Sequence, residues 1–139
     1  MLSGRILAVD YGAKNVGLAC SDELGVTVQP LASVPNNGRR ELILRLRAVA
    51  AERRVSGIVI GMPWNMDGSA GDAISKTERF ADRLGSALEL PLEAVDERLS
   101  TVEALEIWTA MSPRQKRRYR TVDSLAAALI LRRYLEETR

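Results

Sequence analysis

One short stretch near the start of the chain limits the possible folds more than any other. The apolar run Ile6–Val9 is typical of a strand that is buried on both faces of a sheet, and Asp10 ends it. Gly12 and Gly17 flank a short turn, after which a second apolar run predicts a strand that folds back as a hairpin. The stretch therefore predicts a carboxylate at the rim of a sheet, although Asp-x-Gly is also ordinary turn sequence.

The remaining apolar patterns predict strands and helices in a definite order. A third strand near residues 26–34 contains Pro30, which favours an edge position. After it we expect a helix over 39–54, a strand over 55–60, a Gly-rich loop over 61–71, a helix with Ile74 and Leu88, a strand over 92–95, and two final helices. Because helical crossovers make the later strands parallel, residues 1–139 are predicted to form one α/β domain with a mixed sheet and helices on both faces.

The composition excludes several kinds of active site. The chain has no histidine and a single cysteine, Cys20, which excludes histidine-based nucleophilic catalysis, histidine zinc sites and an internal disulfide. Cys20 is expected to be a small buried hydrophobic residue. No apolar run approaches the roughly 20 residues that a membrane span needs, and no signal peptide is visible, so we expect a cytoplasmic protein without a membrane partner.

Three acidic positions stand where they could share one pocket. Asp10 follows the first strand, Asp96 and Glu97 follow the last, and Asp123 lies at the start of the final helix. Ligands bind at the carboxyl ends of parallel strands in such sheets, and Mg²⁺ prefers oxygen ligands. Strand alternation lets only one of Asp96 and Glu97 face the pocket, and the pattern alone does not decide between them. The helix macrodipole would also favour Asp123, by roughly 0.3–1 kcal/mol.

A basic run precedes Asp123. Five of the seven residues from position 114 to 120 are positively charged. Such a run is usually a solvated loop, but beside an acidic metal pocket a mobile cationic loop would suit a polyanionic substrate. We therefore predict phosphate contacts from this run and from a lysine in the first turn: Arg114, Lys116, Arg117, Arg118, Arg120 and Lys14.

Four motifs together resemble the YqgF (RuvX) family, described as Holliday-junction resolvases and pre-16S ribosomal RNA nucleases. They are Asp10-Tyr11-Gly12-x-Lys14, Gly61-x-Pro63-x-Asn65-Met66-Asp67-Gly68-Ser69, Asp96-Glu97-Arg98-Leu99-Ser100-Thr101 and the run from Asp123 to Leu131. The resemblance covers essentially the whole chain. It implies a ribonuclease-H-like fold with three antiparallel strands followed by two parallel ones.

The resemblance also implies a site and a reaction. Asp10, Glu97 and Asp123 would be the catalytic, metal-binding acids, holding Mg²⁺ or Mn²⁺ for phosphodiester hydrolysis. Two positions depart from the pattern: Asn15 stands where the family often has arginine, and Ala126 stands where related resolvases of the RuvC type carry a further acid. The first departure removes one phosphate contact, and the second leaves open whether one metal ion or two bind.

Several functions are compatible with these residues. The first is 5′-end processing of precursor 16S ribosomal RNA, and the second is resolution of branched DNA by a Holliday-junction resolvase. A third is a non-catalytic nucleic-acid-binding factor for ribosome maturation. Asp10-x-Gly12 also resembles the first phosphate motif of actin-like ATPases, but those enzymes need two such domains and this chain supplies one. The protein could be a monomer or a two-fold homodimer.

Overall fold

The strands and helices follow the predicted order, except that an additional short helix lies between the two final helices that were expected. The computed structural model describes residues 2–63, 71–96 and 100–138. Its elements are β1 (Ile6–Asp10), β2 (Asn15–Ser21), β3 (Val28–Pro35), α1 (Arg39–Glu52), β4 (Gly57–Met62), α2 (Asp72–Leu88), β5 (Leu92–Asp96), α3 (Ser100–Ala110), α4 (Pro113–Tyr119) and α5 (Val122–Glu137). The Gly-rich loop, apart from its ends, and Glu97 lie outside the described residues.

The five strands form one mixed sheet in the order β3-β2-β1-β4-β5. β1 pairs antiparallel with β2, and β2 pairs antiparallel with β3. β1 and β4 are parallel, as are β4 and β5. The predicted sheet of three antiparallel and two parallel strands is therefore confirmed, and the carboxyl ends of β1, β4 and β5 meet at one rim. The edge position of β3 is confirmed as well, where Pro30 costs the sheet no central hydrogen bond.

Helices cover both faces of the sheet, as predicted. On one face α1 and α2 pack on Leu7, Val9 and Leu18, which are at most 1% exposed. On the other face α5 packs on Ile6, Ala8, Ala19 and Val59. Small side chains on both sides of the α5 contact let this helix lie close to the strands.

The basic run is a helix, so its prediction as a mobile loop is wrong. Ser112 caps α4: its side chain accepts a hydrogen bond from the backbone N–H of Gln115, and the Gln115 side chain accepts one from the backbone N–H of Ser112. This reciprocal cap, followed by Pro113 at the first helical position, fixes the helix start.

The packing agrees with the interpretation of the single cysteine. Cys20 is a free, buried thiol on the face covered by α1 and α2, and burial raises its pKa. It therefore acts as a small core residue. Within the part of the chain that the structure describes, no helix is long and apolar enough to cross a membrane.

Candidate active site

Asp10 lies on the α5 face at the carboxyl end of β1. Side chains alternate along a strand, and Ile6 and Ala8 belong to the core beneath α5. Asp10 is the next residue in this alternation, so its side chain lies on the same face, where it is half-buried. In the antiparallel pairing of β1 and β2, its direct partner is Gly17.

Gly17 lets the start of α5 contact the sheet beside Asp10. A Cβ placed on Gly17 would lie 2.0 Å from the backbone oxygen of Asp123 and 3.0 Å from the backbone nitrogen of Ser124. A glycine is therefore needed for this close approach. The sequence reading used Gly17 only as the end of a turn. Because Gly17 pairs with Asp10 and touches Asp123, the structure brings these two predicted site residues together at one rim.

A hydroxyl network fixes the α5 terminus on the edge strand. Thr121 caps α5, its side chain accepting a hydrogen bond from the backbone N–H of Ser124 at 3.0 Å. The fully buried Ser124 hydroxyl donates to the backbone oxygen of Leu31 at 2.5 Å, and the hydroxyls of Ser33 and Thr121 are 2.5 Å apart. Sequence reasoning missed Ser33 and Ser124. The available signals were a serine directly before the apolar run 125–131 and its spacing of three residues from Thr121.

The turn that follows Asp10 is supported from the loop after β3. The Asn36 side-chain amide donates to the backbone oxygen of Gly12 at 2.8 Å, and the Asn36 backbone N–H donates to the oxygen of Lys14 at 2.8 Å. Tyr11 stacks on Phe80 with ring centroids 4.3 Å apart. These contacts hold the turn in place, and the Lys14 side chain is exposed at the same rim as Asp10.

Strand alternation separates Asp96 from this site. Val95 packs in the core beneath α5, and the Glu93 carboxylate accepts a hydrogen bond from the hydroxyl of Tyr134 in α5 at 2.5 Å. Leu92 packs in the core of the opposite face. Asp96 lies four residues further along the same strand, so its side chain is on the same face as that of Leu92. Asp96 is therefore on the face away from Asp10. Glu97, the third predicted acid, lies outside the described residues.

Burial raises the pKa of Asp123 above its ordinary value of 3.8. Desolvation is the cause of this shift; the α5 macrodipole acts in the opposite direction, since a helix N-terminus favours an anion. Among the described residues no hydrogen bond or ion pair to this carboxylate is found. Over the same ranges, no group of three or more acidic or cysteine side chains is arranged to hold a metal ion. The described site is thus a pair of carboxylates at one rim.

Most of the predicted phosphate contacts lie on α4, along the edge strand. Arg118 and Arg120 line a hollow of about 380 Å³ with residues 27–30, and Lys116 lies over the Trp108 ring at 5.5 Å. Arg114 and Arg117 are exposed. Lys14 lies apart from this helix, beside Asp10. The structure therefore separates the predicted phosphate contacts into two places, and their role stays a prediction.

Glu103, in the first turn of α3, lies near α5. The Glu103 carboxylate lies 3.9 Å from the Arg133 guanidinium, and another nitrogen of Arg133 donates to the backbone oxygen of Asp96 at 3.2 Å. Glu103 therefore contacts α5, and no described contact links it to Asp10.

Replacing Asp123 with asparagine is expected to stabilise the metal-free protein at neutral pH. Because the pKa of Asp123 is raised in the folded state, protonated Asp123 favours folding. This contribution to the free energy of unfolding is fully present below about pH 3.8 and is lost as the pH rises through the pKa of the folded state. The Asp123→Asn variant avoids that loss, so its Tm at pH 7 should exceed that of the wild type by about 1–3 °C. The difference should vanish near pH 3. Thermal unfolding in EDTA at both values measures it, and a lower Tm for the variant at pH 7 would contradict the burial effect.

Comparisons with known proteins identify the family of this chain. A family model described as "RuvX: Holliday junction resolvase" matches residues 4–137. A relative from Synechococcus sp., named "Putative pre-16S rRNA nuclease", is 42% identical over 133 residues, covering 96% of this chain and 89% of the relative. A relative of the same name from Geobacillus kaustophilus is 41% identical over 137 residues, covering 97% and 99%.

Two solved structures share the fold. The fowlpox virus Holliday junction resolvase has a TM-score of 0.58 at 16% identity, covering 96% of this chain and 99% of that one. Thermus thermophilus RuvC in complex with Holliday junction substrate has a TM-score of 0.54 at 12% identity, covering 97% and 95%. The expected ribonuclease-H-like fold is confirmed. With a family model that spans nearly the whole chain and relatives above 40% identity, this chain belongs to the RuvX family.

Proposed function

We propose that this protein is a metal-dependent nuclease that processes the 5′ end of precursor 16S ribosomal RNA in the cytoplasm. Membership of its family makes it a hydrolase of phosphodiester bonds. The observation that supports the proposal is the close approach of Gly17 to the Asp123 backbone. Because Gly17 is the strand partner of Asp10, the start of α5 lies beside the end of β1, at the rim where such sheets bind ligands.

The residues present suit a hard divalent cation. Asp10 and Asp123 offer oxygen ligands, and Glu97 is the proposed third acid. Asp96 is a poor candidate for a ligand because its side chain lies on the face of the sheet away from Asp10. Ionised Asp123 is disfavoured by burial, and a bound cation would offset that cost. When bound, Mg²⁺ or Mn²⁺ would lower the pKa of water and stabilise charge on the leaving oxygen.

Lys14 and the α4 cations would bind substrate phosphates. With Ala126 in place of a further acid, we propose that one ion suffices.

Metal binding can be tested without measuring activity. Because a ligand that binds only the folded state stabilises it, Mg²⁺ or Mn²⁺ is expected to raise the Tm of the wild type in a concentration-dependent way. The Asp10→Asn and Asp123→Asn variants should show little or no rise. Differential scanning fluorimetry over a metal titration measures this, with Ca²⁺ and matched ionic strength as controls. An equal rise in all three proteins would contradict the proposed ligands.

The choice of substrate needs a direct comparison. The relatives' name favours a ribosomal RNA precursor, whereas the family description favours branched DNA, so a Holliday junction is the second candidate. The purified protein should be offered a precursor 16S leader, a four-way junction and linear duplexes, each with Mg²⁺, Mn²⁺ or EDTA. Preferential metal-dependent cleavage of the leader supports the proposal. Binding without cleavage, unchanged by metal, would instead indicate a non-catalytic maturation factor.

The oligomeric state belongs to the same experiment. A junction resolvase must cut two strands symmetrically, for which a two-fold homodimer is the simplest arrangement, whereas 5′-end processing needs one active site. Light scattering with and without each substrate distinguishes a monomer from a dimer. We propose a monomer on the RNA precursor.

A further inference from the structure

A basic groove on the other face of the sheet is not used by the site described above. It lies between α1 and α2 and has a volume of about 930 Å³. Four exposed guanidinium groups line it, and they come from both helices: Arg39, Arg40, Arg47 and Arg83. We propose that this groove binds a single-stranded segment of the nucleic-acid substrate through its phosphates, as a second contact beyond the cleavage site. This inference rests on the proposed function.

Among the described residues that line the groove, arginines outnumber carboxylates by four to one. Glu41 is the carboxylate that lines it, and Arg45, the residue one helical turn further on, lies 3.3 Å from that carboxylate. Arg47 donates a hydrogen bond to the backbone oxygen of Ala87, which fixes its guanidinium between the helices. An arginine-lined concavity of this kind is complementary to a polyanion.

The positions of Arg39 and Arg40 are poor for helix stability. Both lie in the first turn of α1, where the macrodipole disfavours a positive charge. The preceding residue, Gly38, makes no side-chain cap to compensate. Residues that break a local stability rule without a structural gain are candidates for binding, so these arginines fit a phosphate-binding role.

The groove begins at the rim that carries Asp10. Asn36, which hydrogen-bonds the turn after Asp10, lies three residues before Arg39. From Arg39 to Arg47 the groove follows α1 for about 12 Å away from that rim, at 1.5 Å per residue. A strand that passes the Asp10 rim could therefore continue into the groove and remain in contact with the protein.

The floor of the groove favours unpaired nucleotides. Leu44 is 57% exposed and the half-buried Ile43 lies beside it, so apolar surface is available between the arginines. In a duplex the bases are stacked inside and cannot contact such a floor. In a single strand they can, while the arginines hold the phosphates.

The test is a binding experiment in EDTA, where no metal-dependent cleavage occurs. The probes are an unstructured 20-nucleotide RNA and a duplex of the same length, both fluorescently labelled. Arg40→Ala/Arg83→Ala removes two exposed groove cations. Arg54→Gly/Arg132→Ala removes two exposed cations elsewhere, and glycine suits the positive φ of Arg54. Circular dichroism verifies that both variants are folded.

We expect the groove variant to bind the single strand at least about tenfold more weakly at low salt, with a salt slope smaller by about 0.7 per lost phosphate contact. The control variant should bind like the wild type, and the duplex should be affected less. Equal binding by the groove variant and the wild type, or an equal loss on the duplex, would overturn the proposal.

A separate cleavage assay keeps the two proposals distinguishable. If the nuclease proposal holds and the groove proposal fails, the wild type cleaves with metal and the groove variant has the same KM. If the groove proposal holds and the nuclease proposal fails, the groove variant binds more weakly although the wild type cleaves nothing. A wild type that binds no single strand even at low salt overturns the groove proposal, whatever its cleavage activity.

Discussion

An Asp10→Asn variant is expected to lose metal-dependent cleavage by at least about 10³-fold while keeping its fold. Asparagine has the shape of aspartate but lacks its charge, so the site loses one anionic ligand. Each 1.36 kcal/mol of lost transition-state stabilisation reduces the rate tenfold, and a metal ion contributes several kcal/mol. Asp10 is half-buried at the end of β1, so the substitution leaves the buried part of the strand, Ile6–Val9, intact. Initial rates with saturating Mg²⁺ and circular dichroism measure the two expectations.

The matched control for this variant is Asp96→Asn. Asp96 is also an aspartate at this rim of the sheet, so the same substitution can be made there. Its side chain lies on the other face of the sheet, because side chains alternate along a strand. We expect its cleavage rate to stay within about threefold of the wild type, and Glu97→Gln to resemble Asp10→Asn. Full activity of Asp10→Asn would refute the acid assignment. Full activity of Glu97→Gln together with inactive Asp96→Asn would instead reverse the choice between the neighbouring acids.

The sequence predicted the sheet well because its strands are marked by strong local patterns. The run Ile6–Val9 has polar residues at both ends, and its complete burial at the centre of the sheet follows from that pattern. Pro30 predicted the edge strand because it lacks a backbone donor.

The parts that the sequence did not predict depend on distant contacts or on two competing local signals. The closeness of Gly17 to Asp123 joins residues more than a hundred positions apart, and nothing in either neighbourhood encodes it. The hydroxyl contact between Ser33 and Thr121 joins residues 88 positions apart. For the basic run two local signals compete: the reciprocal cap of Ser112 and Gln115 favours a helix, whereas the dense positive charge favours a solvated loop.

The arginine-lined groove was not predicted at all. Its arginines are spread over residues 39–83 on two helices, and in the sequence each one reads as part of a solvated helix face. Only the packing of α1 beside α2 collects them in one concavity. The resemblance to a known family supplied the three acids but no reason to expect this surface.

A Gly17→Ala variant is expected to damage both the fold and the candidate active site. The new Cβ would lie 2.0 Å from the Asp123 backbone oxygen, and because that atom is backbone, the α5 terminus or β2 must shift. Overpacking of this kind costs about 1–3 kcal/mol, which would lower the Tm by roughly 4–12 °C for a domain of this size. Because a displacement of about 1 Å in a catalytic group can reduce activity by 10²-fold, we expect a comparable loss of cleavage.

Gly85→Ala is the control that isolates this close approach. Gly85 lies within α2, where an added Cβ would be 3.7 Å from both the Leu90 backbone oxygen and the Leu92 Cβ, which are ordinary contact distances. Alanine at this helical position should leave the Tm unchanged or raise it, since glycine in a helix costs up to about 1 kcal/mol relative to alanine. If Gly17→Ala matches this control in Tm and in cleavage rate, the start of α5 does not depend on Gly17, and the structural basis for pairing Asp10 with Asp123 is lost.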